Sequence, residues 1–399
     1  MCGTIFRYRV RSISASVWTI VLILQASGGS TYAAPPAVQI DPILKSKFKR
    51  VAGPETGGAL IYPDATSTWF DHSVGSPTID FDGKTWRMWF VGMSMTKDLG
   101  IPYGFEERIG MATSKDGVRW KIANEGRPVL DFGAQGKFND AGLSHPFVLH
   151  VGDQYMIWYG GIDGRTGKDV AVDPAHVRVE QIGLATSSDG VHWTRANNGE
   201  PVLSIGSKGS IDAVQATGCH VIRRGDQFVM WYGAYNGTHT IGLATSMDGI
   251  HWRKGNGGRS MEGLRGAKQL GPSVYFDGSR YLMLYNTTRK TLNGGTQWTL
   301  YAATSADGIK WEAALDNKPL LGPAPPGNFG SADGKTGNNH AVHPTKMIVR
   351  GDQVRIWYGA EGNKPRTGRR YAASAIGLME ARITPRPKPI EFGCSHRSR

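Results

Sequence analysis

Downstream of residue 70 the chain alternates short apolar runs with compact polar turns, and the runs are rich in Val, Ile, Tyr and Trp. Such runs, bounded by Gly, Asp and Asn, read as strands, because they are too short to present a helical stripe to a core. The stretch from Ser144 to Leu203 is the clearest. Ser144 to His150 is apolar and ends at Val151-Gly-Asp-Gln, and Tyr155 to Gly160 follows. Then come Ile182 to Thr186, the turn Ser187-Ser-Asp-Gly, and His192-Trp-Thr-Arg leading to Pro201-Val-Leu203. Asp-Gly between two such runs is a tight-turn signal, so the stretch predicts four strands in an antiparallel meander.

The same order recurs along the chain. Ile182-Gly-Leu-Ala-Thr-Ser-Ser-Asp-Gly-Val-His-Trp193 is restated from Ile109 to Trp120, Ile241 to Trp252 and Tyr301 to Trp311, and fades between Tyr371 and Met379. Each copy follows a second phrase: Trp89-Phe-Val-Gly, Trp158-Tyr-Gly-Gly, Trp231-Tyr-Gly-Ala, Leu284-Tyr-Asn or Trp357-Tyr-Gly-Ala. The period, roughly 60 residues, is longer than that of most helical or leucine-rich repeats. Four-stranded sheets repeated radially make a β-propeller, which leaves few exposed edges. The expected fold is all-β: a five-bladed β-propeller spanning 34–383, with blades near 70–130, 138–203, 210–258, 267–321 and 337–382. The last unit lacks a fourth strand, which a segment within 48–62 is expected to supply; 384–399 reads as a basic tail.

Composition changes the picture at the ends and in the charge. Arg7, Arg9 and Arg11, the apolar Val17 to Leu24 and the small residues Ser30-Thr-Tyr-Ala-Ala34 make 1–33 a secretory signal, predicting a secreted or periplasmic protein. After its removal no stretch is long and apolar enough to span a bilayer, so no integral membrane segment is expected. The full chain carries formal charge +13, and loss of the three signal arginines leaves about +10. Acidic glycans or anionic envelope polymers would suit such a surface, as would plain solubility. No Lys/Arg run interleaved with stacking aromatics indicates nucleic acid. Cys219 and Cys394 would permit one disulfide, but Cys219 falls in an apolar strand and reads as a buried thiol. No zinc-type cluster is visible.

The repeated Asp116, Asp189, Asp248 and Asp307 read as turn caps, since chemistry rarely needs one residue in every repeat. The following Gly takes φ > 0, and the Trp is expected to pack between units. The phrase is one residue shorter than a sialidase Asp-box and is not read as one. Chemistry is sought instead at the start of each first strand and in the loop between the second and third. Aligned on Pro77, Pro146, Cys219, Pro272 and Pro344, the first strands bring Asp71 and Asp140 into coincidence, with Asp212 one residue off. His145 and His343 directly precede Pro, where each could face the channel as acid, metal ligand or sugar contact, and His340 lies close by. Converging carboxylates suit glycosidic cleavage, one protonating the leaving oxygen and another activating water or attacking carbon. Strand-start caps are the plain alternative for the aspartates, and packed or solvated imidazoles for His145 and His343. The variable loops offer Tyr103, Glu106, Arg108, Tyr235, Asn236, His239, Arg289 and Glu361 as sugar contacts.

Blades of the form Pro-x-Val…Gly-Asp-Gln-x-x-x-Trp-Tyr-Gly…Ile-Gly-Leu-Ala-Thr-Ser-x-Asp-Gly-x-x-Trp…Pro-Val-Leu resemble the five-bladed superfamily of glycoside hydrolase families 32, 43, 62, 68 and 117. The resemblance covers about 65–382. It implies Asp71 as base or nucleophile, Asp140 as an orienting acid, and Asp212 or a histidine as proton donor. It also implies His340 as counterpart of a fifth-blade histidine beside a central cation or water. No cofactor is required, though a calcium ion in the channel fits the resemblance. The chain departs from family 43 at Ser76, where an Asp would precede Pro, and at Thr217-Gly-Cys219, where a Glu would stand. The expected function is exported glycoside hydrolysis of a poly- or oligosaccharide, acidic ones included. A non-catalytic carbohydrate-binding or envelope-assembly propeller and a polysaccharide lyase are the alternatives.

Overall fold

The computed structural model describes residues 38–94, 106–164, 178–255, 263–264, 269–290, 296–320, 343–365 and 372–383. Side chains of 269–270, 288–290, 296–298, 343–345, 361–365 and 372–373 lie outside the description. The signal-like segment and the basic tail fall outside it as well.

Among the described residues the fold is all-β, apart from one helix, α1 (Ile40–Lys45), and short 3₁₀ turns. A first group comprises β2 (Ser73–Phe81), β3 (Trp86–Ser94), β4 (Glu106–Ser114) and β5 (Lys121–Ile122), each antiparallel to the one before. The next is β6 (Gly142–Val151), β7 (Gln154–Asp163), β8 (Val179–Ser187) and β9 (Thr194–Arg195). It is followed by β10 (Gln215–Arg224), β11 (Gln227–Tyr235), β12 (His239–Ser246) and β13 (Arg253–Lys254). A further group is β14 (Gln269–Phe276), β15 (Tyr281–Lys290), β16 (Thr296–Ser305) and β17 (Glu312–Ala313). The last holds β18 (His343–Arg350), β19 (Gln353–Pro365) and β20 (Ala372–Arg382), with β1 (Lys49–Val51) paired to β20 as its fourth strand. Leu60 N–H donates to the Ile376 carbonyl at 2.8 Å, extending that attachment.

The recurring tryptophans explain how the groups are joined. Trp89 Nε1 donates to the Gly190 carbonyl at 2.8 Å, Trp158 to Gly249 at 3.0 Å and Trp231 to Gly308 at 2.9 Å, each reaching the Asp-Gly turn of the following group. Trp357 reaches back to Gly117 at 3.2 Å, tying the last group to the first. The Trp that ends the second, third and fourth phrases meets its neighbour's tryptophan edge-on, with Trp193, Trp252 and Trp311 at 6.2–6.4 Å from Trp89, Trp158 and Trp231. Burying these rings supplies much of the hydrophobic driving force, and the N–H groups of Trp89, Trp158, Trp231 and Trp357 are satisfied across the joints, whereas Trp120 Nε1 is buried without a partner.

The turn aspartates are caps. Asp116 Oδ1 accepts the N–H groups of Val118 and Arg119 at 2.8 Å, while Gly117 sits at φ 76. Partial burial would raise the Asp116 carboxyl, but these backbone N–H groups, Ser114 and Arg119 hold it down at about 2. The Gly of the Ile-Gly-Leu phrase has a packing reason. A Cβ on Gly242 would stand 2.4 Å from the Tyr232 ring, and one on Gly377 2.5 Å from Tyr358.

Every first strand carries a bulge at which two residues oppose one. Ser76, His145, Gly218 and Gly271 occupy it in left-handed conformation, φ 45–59. That matches the alignment on Pro and Cys219 for four first strands. In the last, Lys346 pairs with Trp357 as Thr78 pairs with Trp89, so Pro344 stands where Ser76 and His145 stand. His343 is therefore the counterpart of Ser144 and not of His145, a correction to the sequence alignment. The first strands pack in succession, β2 on β6, β6 on β10, β10 on β14, β14 on β18, and β18 on β2.

Candidate functional site

Two carboxylates that the sequence reading passed over form the centre of the site. Glu107 is the second residue of β4 and Glu180 the second of β8, at the same register, four residues before Met111 and Leu184, which pair with Trp89 and Trp158. His239 holds that register in β12 and Ser374 in β20. Both glutamates are buried, at 4% exposure. Arg178 joins them, its Nη1 at 2.5 Å from Glu107 Oε1 and its Nη2 at 3.1 Å from Glu180 Oε1. The hydroxyls of Ser144 (2.6 Å) and Thr217 (2.7 Å) donate to Glu180 Oε2. Strands of two groups thus meet at Glu180, and Arg178 links it to a third through Glu107.

The local sequence leaves room for this convergence. A Cβ on Gly160 would lie 2.4 Å from both Ser144 Oγ and Thr217 Oγ1, and 2.9 Å from Glu180 Oε2. The Gly after Trp158-Tyr is thus a space-maker for the site. Burial alone would push the Glu180 carboxyl up. The Arg178 guanidinium, the nearby His145 and the two hydroxyls outweigh it and hold Glu180 below the usual carboxylate range. It stays ionised at neutral pH.

His145 stands beside this network, its ring about 3.8 Å from where a Gly218 Cβ would be, so it spans from β6 to β10. Its φ of 45 is costly for a residue with a side chain, and its Nδ1 is buried without a hydrogen-bond partner. A strained backbone that aims an unengaged imidazole beside a carboxylate is a pattern of functional sites.

The aspartates chosen from sequence fare differently. Asp71 lies two residues before β2 and is half-buried. Asp140 caps a loop, with Gly136 N–H on Oδ2 and Gly164 N–H on Oδ1, both at 2.8 Å. Asp212 is wholly buried and takes Ser210 Oγ at 2.9 Å, Tyr232 O–H at 2.9 Å and Lys254 Nζ at 2.5 Å. That corrects the expectation of a proton donor at Asp212, because no substrate can reach a carboxylate without exposed surface. Its counterpart is Asn139, 1% exposed and bonded through Nδ2 to Tyr159 O–H at 3.3 Å. The Asp71 and Asp140 counterpart in β10's lead-in is Ala213, since His72, Ala141 and Val214 make equivalent backbone bonds.

Among the expected sugar contacts, Glu106 and Arg108 bind each other at 2.5 Å; Arg108 also meets Asp131 at 2.9 Å and covers the Phe132 ring. The Tyr235 and His239 rings meet at 4.4 Å, tilted by 36°, and Asn236 Nδ2 donates to the Ser210 carbonyl at 2.9 Å, shaping their loop. Arg289, Glu361 and His343 lie in strands whose side chains there are outside the described residues, and Tyr103 and His340 lie outside them altogether. Among the described residues no three His, Cys, Asp or Glu side chains cluster to hold a metal. Nor is any described helix long and apolar enough to cross a membrane. Cys219 is a buried free thiol, its pKa pushed up to about 12 by desolvation.

No protein-family model matches the chain. Two Mycobacterium tuberculosis sequences, Uncharacterized protein MT1551 (strain CDC 1551 / Oshkosh) and Uncharacterized protein Rv1502 (strain ATCC 25618 / H37Rv), are each 26% identical over 265 residues, 64% of this chain and 80% of theirs. Solved structures of similar fold include BT0996 in an RGII complex, at TM-score 0.61 and 19% identity, covering 85% of this chain and 96% of that protein. Another is from work on the GH130 family of mannoside phosphorylases and its glycoside hydrolases that target β-1,2 mannosidic linkages in Candida mannan (TM-score 0.58, 15% identity, 85% and 96% covered). A third is Zg3597, a family 117 glycoside hydrolase of Zobellia galactanivorans (TM-score 0.58, 15% identity, 85% and 91% covered). The fold is thus that of propeller-type glycoside hydrolases.

Proposed function

We propose that the chain is a glycosidase-like enzyme on a five-bladed β-propeller, exported, and acting on an oligo- or polysaccharide that includes acidic sugars. The observation that carries this is the meeting of Glu107, Glu180, Arg178 and His145 at the starts of successive third strands and the bulge of β6. Glu180, kept ionised by Arg178, cannot donate a proton near neutrality. Its role is to stabilise positive charge at the anomeric carbon or to orient the attacking oxygen. His145 is the proton donor to the leaving oxygen as the glycosidic C–O bond breaks, and Asp71 is the second acid–base candidate. The attacking oxygen belongs to water or to inorganic phosphate, since similar folds serve hydrolases and phosphorylases. Basic charge across the chain supports an acidic substrate.

The test is a panel of plant, algal, fungal and bacterial glycans, assayed with and without phosphate. Wild type should release reducing sugar or sugar phosphate, while Glu180→Gln and His145→Gln should lose about 100-fold or more in kcat, as loss of a charge stabiliser or proton donor does. Unchanged kcat in both folded variants would end the assignment. A second reading, a carbohydrate-binding propeller without turnover, draws on Asp212 being walled in, which leaves β10's lead-in without an accessible acid. Glycan binding with no product from any substrate would select it.

A further inference from the structure

Below the bulges the five first strands bring one residue each to a common level. Thr78, Phe147, His220, Ser273 and Lys346 all stand opposite the second-strand position held by Trp89, Trp158, Trp231, Leu284 and Trp357. Contacts join Lys346, Phe147 and His220 directly and bring Thr78 to the same Val148 backbone, while Ser273 shares the level by register on β14, which packs between β10 and β18. Lys346 Nζ donates to the Val148 carbonyl at 3.0 Å and lies 5.4 Å from the Phe147 ring centre. The Phe147 and His220 rings are 4.3 Å apart, and Thr78 Oγ1 accepts Val148 N–H at 3.1 Å.

The polar chemistry of this level is one-sided. Lys346 has donated one N–H and keeps two. Thr78 accepts a bond and keeps its own O–H to give. Ser273 has no exposed surface, and its Oγ has no hydrogen-bond partner, an arrangement proteins seldom leave unfilled. None of the five residues at the level is a carboxylate. Asp80, two residues beyond Thr78, is the acid whose field reaches Lys346, and it does not offset the burial that lowers the lysine's proton affinity. Lys346 as a whole is half-buried.

We propose that this level is a binding site for one small inorganic anion of halide size, held by Lys346 with the hydroxyls of Ser273 and Thr78. A divalent cation is the wrong ligand here, because hard cations need oxygen acceptors and this level presents donors. The calcium expected near the axis has no carboxylate set at this level. An anion would neutralise the ammonium where first strands of several groups meet, and so brace the frame that carries Ser144, His145 and Thr217. The site is independent of the glycan reaction.

The experiment uses bromide as probe and the whole protein. Melting is followed in sodium bromide against sodium gluconate at equal ionic strength, and crystals grown in bromide are examined by anomalous scattering. The expected results are a bromide-dependent rise in Tm of a few degrees and an anomalous peak within about 3.5 Å of Lys346 Nζ, typical of a charge-assisted contact lengthened for the larger ion. Lys346→Met keeps the packing on Phe147 and should abolish both; Ser273→Ala should weaken both. Identical melting in the two salts with no peak at the level, meaning water alone, would overturn the proposal. So would a bromide response undiminished in both variants.

Discussion

Substitution of Asp212 separates a strut from a proton donor. The carboxylate has no exposed surface and serves three partners, Ser210, Tyr232 and Lys254, while Lys254 itself is a quarter exposed. Asp212→Ala strands a lysine and a buried tyrosyl O–H. Breaking a buried ion pair from one side costs about 3–5 kcal/mol, and the exposure of Lys254 places the expectation at the lower end, about 3. Asp212→Asn is the informative variant. The equivalent site already uses Asn139 against Tyr159, so an amide fits and keeps a bond to the tyrosine. Its expected cost is about 1–2 kcal/mol, the loss of charge assistance in one network. The assay is urea unfolding of wild type and both variants, read by tryptophan fluorescence. At a slope of roughly 3 kcal/mol per molar urea, the Ala variant should lose about 1 M in midpoint with its slope unchanged. Any turnover found for wild type should persist in the folded Asn variant. An Asn variant of native stability but abolished turnover would refute the structural role and restore Asp212 to the chemistry.

Further expectations concern the turns and the joints. Asp82 and Asp116 are held down at about 2 against an ordinary 3.8, in spite of partial burial, by backbone N–H groups and Arg partners. Depressed carboxylates stabilise the fold above the unfolded value and lose that contribution as pH falls through the folded one, so Tm should decline between pH 4 and 2. A flat profile across that interval would contradict it. Trp158→Ala removes the bond to Gly249 and the packing on Trp252, and should cost about 3–5 kcal/mol in urea unfolding. Gly242→Ala pushes a methyl to 2.4 Å from the Tyr232 ring and should cost about 1–3 kcal/mol, with Tyr232→Phe offering no relief because the ring body is what clashes. Equal stability of Gly242→Ala and wild type would show that the sheet yields there.

Much of the frame could be read along the chain. The Asp-Gly turns, the Trp-Tyr-Gly runs and the Ile-Gly-Leu phrases are local, and each repeats with the same neighbours, so period and turn chemistry agreed on short antiparallel strands. The alignment on Pro77, Pro146, Cys219 and Pro272 had the register of four first strands, but the bulge there emerged only from strand pairing. The last first strand misled because Pro344 sits one place earlier, and only pairing of Lys346 with Trp357 revealed it. Glu107 and Glu180 escaped notice for a similar reason. Each follows a variable loop, and the signal that could have found them was their equal distance, four residues, before Met111 and Leu184.

The sequence by itself determined that this chain is built of repeated short strands, where the turns fall, and which tryptophans and glycines recur. Those properties depend on residues near one another along the backbone. Tertiary structure alone decided where the acids stand and what they meet. Asp212 turned inward to a tyrosine and a lysine, Asp140 closed a loop, and Glu107 and Glu180 met across one arginine. Burial, partner and field belong to side chains brought together from separate repeats, and spacing along the chain carries none of them.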